Sequence, residues 1–359
     1  MSRPSRPTLA DVARRAGVSL KTASRAVNGE YGVAPATAQR VTDAARALGF
    51  RPNQLARSLA AGGPSAAVGL VISSVSDPFI AAVVGAVEAV LAPRDLQLIT
   101  ASHHDDPDRQ RRIVRTLVER RVDALILIPA PGDASYLLPE MEHGLFVVAV
   151  DRPIDGVEVD TGVVDNAAGA AEGVRRLVAR GHRRIALLGN DERLWTLQRR
   201  FDGYRAGLEA AGLPFDADLV ELNCTDPSIA ETAMHRLLAL PEPPTAVFAI
   251  QHMAGRGTIR ALRAAGVSLD LAVFDEMVDT DLLVTPPVVI VASGPDRLGS
   301  LGAAMVIERL DGLAAAPRSV VLPPLFLDEG QTYQPQPAQV VPVVPVVPVV
   351  PAPPVAVIP

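Results

Sequence analysis

The chain has 359 residues, 48% of them hydrophobic, which suits two or three domains that each bury a core. A single cysteine, Cys224, excludes an internal disulfide framework and fits a reducing cytoplasm. The net charge of −6 argues against a polyanionic partner, but its distribution reverses the argument. Residues 1–60 carry ten arginines and lysines against Asp11, Glu30 and Asp43, so the head is near +7 and the remainder near −13. Such a head can dock on a polyanion that repels the body, while a solvated basic tail is the plainer alternative. The opening MSRPSRPTLADV has no apolar core, so no secretory leader is expected. No run of about 20 apolar residues offers a membrane helix.

Taken in chain order, the head predicts short helices. Thr8 is placed to cap the first, with Asp11 closing a capping box, and Leu9, Val12, Ala13 and Ala16 recur at helical spacing. Gly17 ends it, and Ser19 caps a second helix at once, which is a helix-turn-helix arrangement. On the second helix Ala23, Ala26 and Val27 face one way; Leu20, Lys21, Ser24, Arg25 and Asn28 form the opposite stripe. These polar types grip phosphates or read base edges, although an ordinary surface helix also carries polar residues outside. The N-terminal part of a recognition helix meets the bases, which selects Leu20, Lys21 and Arg25 for base contact. Thr8, Ser19, Thr22, Ser24 and Asn28 are the further DNA contacts expected here. A third helix is predicted from about Pro35 to Leu48, burying Thr37, Val41, Ala45 and Leu48 and stopped by Gly49. Asn53 can cap a short helix carrying Arg57 and Leu59 before Gly62, Gly63 and Pro64 break it. Asn53, Arg57 and Leu59 complete the expected DNA-binding set.

From Ala66 short apolar runs alternate with amphipathic stretches. Strands are predicted at AVGLVIS, LQLITAS, ALILIPA, FVVAVD, RIALLGN, TAVFAI and LAVFDE. Helices are predicted to begin near Pro78, Pro107, Asn166, Arg200, Ser228 and Gly255. That alternation implies parallel sheets covered on both faces, and the length to about Gly330 implies two such units. Ligands of these folds lie outside the carboxyl ends of the strands. His103, His104, Asp105 and Asp106 invite a metal reading, but neighbours on a strand end diverge and no second cluster completes a site, so a solvated loop is expected. No G-x-G-x-x-G after a strand, P-loop, H-E-x-x-H or G-x-S-x-G occurs, so neither catalysis nor a cofactor or metal is expected. After Tyr333 a proline at about every third residue excludes helix and central strand, leaving polyproline II or a disordered tether.

The run TLADVARRAGVSLKTASRAVN, followed by RPNQLARSL, resembles the head of the lactose/galactose repressor (LacI/GalR) family. VSDPF, VDRP, VVDN, GHRRIALLG and RRFDGYRAGLEAAG resemble that family's sensor domain. The resemblance implies an all-α helix-turn-helix head (1–52), a hinge helix and linker (53–65), a two-lobed α/β body like the periplasmic sugar-binding proteins (66–332) and a tail (333–359). It implies a cytoplasmic repressor, a homodimer or tetramer, binding a double-stranded DNA operator under a small-molecule effector such as a sugar or nucleoside. Leu59 matches the hinge leucine that wedges into the minor groove; a buried linker residue is its duller reading. The implied first lobe is about 66–161 plus 292–316, and the second about 162–289 plus 319–331. Asp77, Phe79, Arg152, Arg200 and Asp275 map to the family's pocket, and Gln251 is expected in the second lobe's share of it. Their alternatives are a helix cap for Asp77, core for Phe79, an Arg152–Asp165 pair at a crossover, and a surface position for Arg200. Departures are Ala23 for a common valine, Ala38 for a common arginine, Gln251–His252 for the usual Asn-Asp, and a shortened segment between Gly266 and Asp275. The competing reading is a cytoplasmic solute-binding protein without DNA function.

Overall fold

The computed structural model describes residues 7–51, 65–275, 289–328 and 331. The expected hinge helix with Asn53, Arg57 and Leu59 and the Pro/Val-rich tail lie outside the described residues. The chain divides into two units after Ser65.

Three helices make the first unit: α1 (Leu9–Ala16), α2 (Leu20–Val27) and α3 (Pro35–Leu48). The Thr8 hydroxyl accepts from the Asp11 N–H at 3.3 Å, and the Asp11 carboxylate accepts from the Thr8 N–H at 2.9 Å, a complete capping box. A hydrogen bond from the Thr8 hydroxyl at 2.7 Å, and then the one from the Thr8 N–H, hold the Asp11 carboxyl below the usual range. Gly17, in the left-handed region at φ 64°, turns the chain sharply enough for Ser19 to cap α2, its hydroxyl accepting from Thr22 N–H at 3.1 Å. Val12, Ala13, Ala16, Ala23, Val41 and Ala44 form the small core. On α3 the buried stripe is centred on Val41 and Ala44; Thr37, Ala45 and Leu48, expected inside, are only partly buried.

The second unit contains two six-stranded sheets. The first comprises β1 (Ala67–Ile72), β2 (Gln97–Ser102), β3 (Ala124–Leu127), β4 (Phe146–Val150), β5 (Asp160–Val164) and β11 (Ser319–Leu322). They lie in the order β11-β5-β4-β3-β1-β2, all parallel. The second comprises β6 (Ile185–Leu188), β7 (Val220–Glu221), β8 (Ala246–Ala249), β9 (Asp270–Phe274), β10 (Val289–Ala292) and β12 (Leu325–Asp328). Their order is β12-β10-β9-β8-β6-β7, with only β12 antiparallel. Helices α4 (Pro78–Leu91) and α11 (Pro295–Leu310) cover one face of the first sheet, and α5 (Pro107–Glu119) the other, with the short α6 (Leu138–Glu142) following beyond β3. Helices α7 (Asn166–Ala179) and α8 (Trp195–Ala210) cover one face of the second sheet, and α9 (Pro227–Leu238) and α10 (His252–Ala265) the other. Burial on both faces explains why β1, β3, β6 and β8 read as unbroken apolar runs.

The strand order corrects the expected lobe boundaries. β5 and β11 belong to the first sheet, β10 and β12 to the second. The first lobe is therefore 66–164 plus 293–322, and the second 165–275, 289–292 and 325–328. The sequence boundary at 161 cut through β5, and the one at 316 left β11 on the wrong side. β5, β7, β10, β11 and β12 were not among the predicted strands. α8 begins at Trp195 rather than near Arg200, because Leu194 supplies no side-chain cap to announce it. α10 begins at His252 rather than near Gly255, capped by Gln251.

The α7–α8 contact is set by glycine. A Cβ on Gly203 would lie 2.2 Å from the Ala167 carbonyl oxygen and 2.8 Å from the Ala170 methyl group. Gly203→Ala must therefore push α8, which carries Arg200, away from α7. We expect a loss of about 1–3 kcal/mol, read as a lower denaturant midpoint at unchanged slope.

Candidate functional site

On the head, the N-terminal part of α2 is the presented surface. Leu20 is 55% exposed and Lys21 lies beside it in solvent. The N-terminal end of a helix carries partial positive charge, which favours an anion at this place. Thr8 and Ser19 act as caps, and the Thr22 hydroxyl lies 2.8 Å from that of Ser19. Ser24 is half-buried. Asn28 lies one residue past the last turn, as the C-cap. Arg25 is more restrained than the sequence suggests: its guanidinium donates to the Tyr31 carbonyl and lies 3.6 Å from the Glu30 carboxylate. Asn28 donates to the same carboxylate at 3.2 Å. Glu30 thus gathers two of the expected contacts, while Leu20 and Lys21 stand free of that network.

In the second unit the polar side chains converge where the strands of both lobes end. After β1, Asp77 caps α4 by accepting from the Phe79 N–H at 2.9 Å. Burial, reinforced by Asp275 and opposed by His252, pushes the Asp77 carboxyl up. Phe79 is partly buried against the first-lobe core. After β4, Arg152 reaches Asp151 at 3.3 Å and Asp105 at 3.4 Å. The Arg152–Asp165 pair considered from sequence does not form; Asp165 instead caps α7, accepting from Ala168 N–H at 2.9 Å. Burial pushes the Asp151 carboxyl up, countered by Arg152 and then Arg200.

Arg200 is not a surface residue but is 5% exposed. It donates to Asn166 at 2.7 Å, to the Ile250 carbonyl at 2.8 Å and to Asp275 at 2.8 Å, and its guanidinium lies 3.8 Å from the Phe274 ring centre. Asp275 also accepts from the Ser293 hydroxyl. Asp151 and Asp275 both hold left-handed backbone, at φ 72° and 67°, a strain that aims side chains off strand ends. Gln251 caps α10, accepting from Met253 N–H at 2.7 Å and Ala254 N–H at 3.2 Å. Sequence reasoning named His252 only as a departure; its Nε2 lies 3.5 Å from Asp77, so it joins the two lobes. Asp105, Asp151, Asn166 and Ser293 were missed as well, because what places them is pairing across the fold.

His103 is the other correction. It does not lie in a solvated loop but is fully buried: Nε2 donates to the Ile128 carbonyl at 2.8 Å and Nδ1 accepts from Asp105 N–H at 3.0 Å. Burial pushes its pKa down. Among the described residues no three His, Cys, Asp or Glu side chains are grouped to hold a metal ion. No described helix is long and apolar enough to cross a membrane.

A three-helix, helix-turn-helix head followed by two parallel-sheet lobes with a polar cleft defines a class of bacterial regulators, and the comparisons agree with it. Residues 8–53 match the bacterial regulatory proteins of the lacI family, and residues 65–329 match the periplasmic binding proteins and sugar-binding domain of the LacI family. The chain is 32% identical over 335 residues to the transcriptional regulator CelR of Thermobifida fusca, covering 90% of this chain and 97% of the relative. It is 29% identical over 331 residues to the ribose operon repressor of Escherichia coli, covering 90% and 99%. A CelR–cellobiose complex superposes with a TM-score of 0.66 at 29% identity, covering 90% of this chain and 98% of that one. The lac repressor dimer bound to operator superposes at 0.74 over 90% and 98%, and at 22% identity it speaks for the fold alone. The chain belongs to the LacI family of bacterial regulatory proteins.

Removing Arg200 would leave Asp275 buried without its main cation. Arg200→Ala should cost about 3–5 kcal/mol in urea unfolding. A loss under about 1 kcal/mol would mean that the network contributes little.

Proposed function

We propose that this protein is a sequence-specific transcriptional repressor rather than an enzyme, working as a homodimer whose operator affinity a small-molecule effector in the inter-lobe cleft switches. Exposure of Leu20 and Lys21 at the capped start of a basic helix carries the DNA half of this reading. The cleft half is supported by two buried arginines and a ring of carboxylates at strand ends. CelR, a full-length relative, is a regulator with a solved cellobiose complex. The domain division we propose is 1–52 for DNA binding, 53–65 for the hinge, 66–332 for sensing and dimerisation, and 333–359 for the tail. Thr8, Ser19, Thr22, Ser24, Arg25, Asn28, Asn53 and Arg57 support Leu20 and Lys21 on DNA, and Leu59 is the minor-groove wedge. Asp77, Phe79, Arg152, Arg200, Gln251 and Asp275 line or support the effector site. Effector binding changes the angle between lobes and so the order of the hinge, a coupling of about 1–3 kcal/mol.

Lys21 is the only lysine in the chain, which gives a direct probe. Duplex DNA from upstream of the protein's own gene should protect Lys21 from an amine-acylating reagent, and protection should fade as salt rises. Lys21→Ala should cost about 1–3 kcal/mol on operator and relax sequence preference. Leu59→Ala should weaken operator binding while sparing random duplex. Equal losses on operator and random DNA for both variants would sink these assignments, and no salt-sensitive DNA binding at all would sink the function.

A further inference from the structure

His252 has a buried polar atom with nothing to bond. Its side chain is 3% exposed, and its Nε2 makes no hydrogen bond among the described residues. The direction of that atom's proton follows from its neighbour. Gln251 spends its carbonyl oxygen on the first N–H groups of α10, at 2.7 Å and 3.2 Å. The other end of the amide, a donor only, therefore faces His252 Nδ1 at 3.2 Å. Nδ1 accepts, and the ring proton sits on Nε2, aimed toward Asp77 Oδ1 of the other lobe at 3.5 Å. A donor and an acceptor thus face one another across the cleft without satisfying each other.

The charge around this pair is unbalanced. Asp77, Asp105, Asp151, Asp191 and Asp275 face Arg152, Arg193 and Arg200, and each guanidinium is already held by a carboxylate. No arginine of this cluster is left uncommitted for an anion, and a phosphate or carboxylate would enter beside a carboxylate surplus. Burial already pushes the Asp77 and Asp151 carboxyls up, so a further anion there would be opposed.

We propose that His252 is the specificity-determining contact of the cleft: with Asp77 it clamps one hydroxyl of an uncharged, hydroxyl-rich effector, and the cleft rejects phosphorylated or carboxylated counterparts. The hydroxyl donates to Asp77 and accepts from His252 Nε2–H. Gln251 is a positioning residue that sets the tautomer. This rests on the effector-cleft reading above.

The test uses the full chain and paired probes: cellobiose, glucose, ribose and cytidine against glucose 6-phosphate, gluconate, ribose 5-phosphate and cytidine monophosphate, by thermal shift and then calorimetry. At least one uncharged probe should bind while its anionic counterpart does not. His252→Phe should weaken that binding about tenfold, the equivalent of one hydrogen bond. Proton–nitrogen correlation spectra should show His252 protonated on Nε2, identified by its loss in His252→Phe, and Gln251→Glu should move the proton to Nδ1. An anion that binds better than its uncharged parent overturns the proposal. So does an unchanged affinity in a folded His252→Phe protein, an Nδ1 proton in the wild type, or a panel with no binder. Operator binding is measured on the same samples, so that failure here with intact DNA binding leaves the regulator standing.

Discussion

A guanidinium held out of water is the constraint around which the second lobe is arranged. Arg200 rises from α8 and takes its partners from α7 through Asn166, from the end of β8 through the Ile250 carbonyl, and from the end of β9 through Asp275. Desolvating such a charge costs several kcal/mol, and only close, multiple bonds offset it. The partners must therefore hold their positions to within a few tenths of an ångström. The Phe274 ring beneath and the Ser293 hydroxyl on the far side of Asp275 complete the cage. Ser293 directly follows β10, at the point where the chain returns to the first lobe. The same network that fixes the second-lobe wall of the cleft thus reaches a segment that joins the lobes.

Among the described residues three such segments exist, following β5, β10 and β11. They leave each lobe with its own sheet and its own cores, so the lobes can rock as bodies while the joints absorb the change. What lies between them decides which angle is favoured. The first lobe brings Asp77, Asp105, Asp151 and Arg152 to the cleft, and the second brings Arg200, His252 and Asp275. Much of the charge is balanced within its own lobe, as in Arg152 with Asp151 and Arg200 with Asp275. Across the lobes Asp151 also feels Arg200, and Asp191 feels Arg152, while Asp77 and His252 face one another at 3.5 Å without a hydrogen bond.

Local and distant interactions divide what the sequence revealed from what it concealed. The head was legible because its signals are local: Thr8 with Asp11, Gly17, and Ser19 with Thr22 act within four residues. β1 and β8 were legible because burial on both faces demands an apolar run. β5 was not, since it opens on Asp160, a polar residue 2% exposed. Arg309, 149 residues away, makes that burial tolerable, bonding Asp160 at 2.8 Å and 2.9 Å. His103 misled for the same reason, its partner being the Ile128 carbonyl just past the end of β3. The pocket positions carried over by family resemblance include Asp77, Arg152 and Asp275, which do converge. What each side chain bonds to could not be carried over, because it depends on residues that differ here.

Gln251 and His252 show how such a difference acts. Read singly, each replaces a usual family residue and loses a function. Read together, the glutamine keeps the helix cap and uses its remaining donor to fix the imbalance of the ring beside it. A carboxylate at position 252 would face Asp77 and add a like charge to a cluster already rich in them. An imidazole with its proton on Nε2 instead offers Asp77 a donor 3.5 Å away. The pair therefore turns a site of repulsion between lobes into one of conditional attraction, and the condition is a ligand that can both give and receive a hydrogen bond.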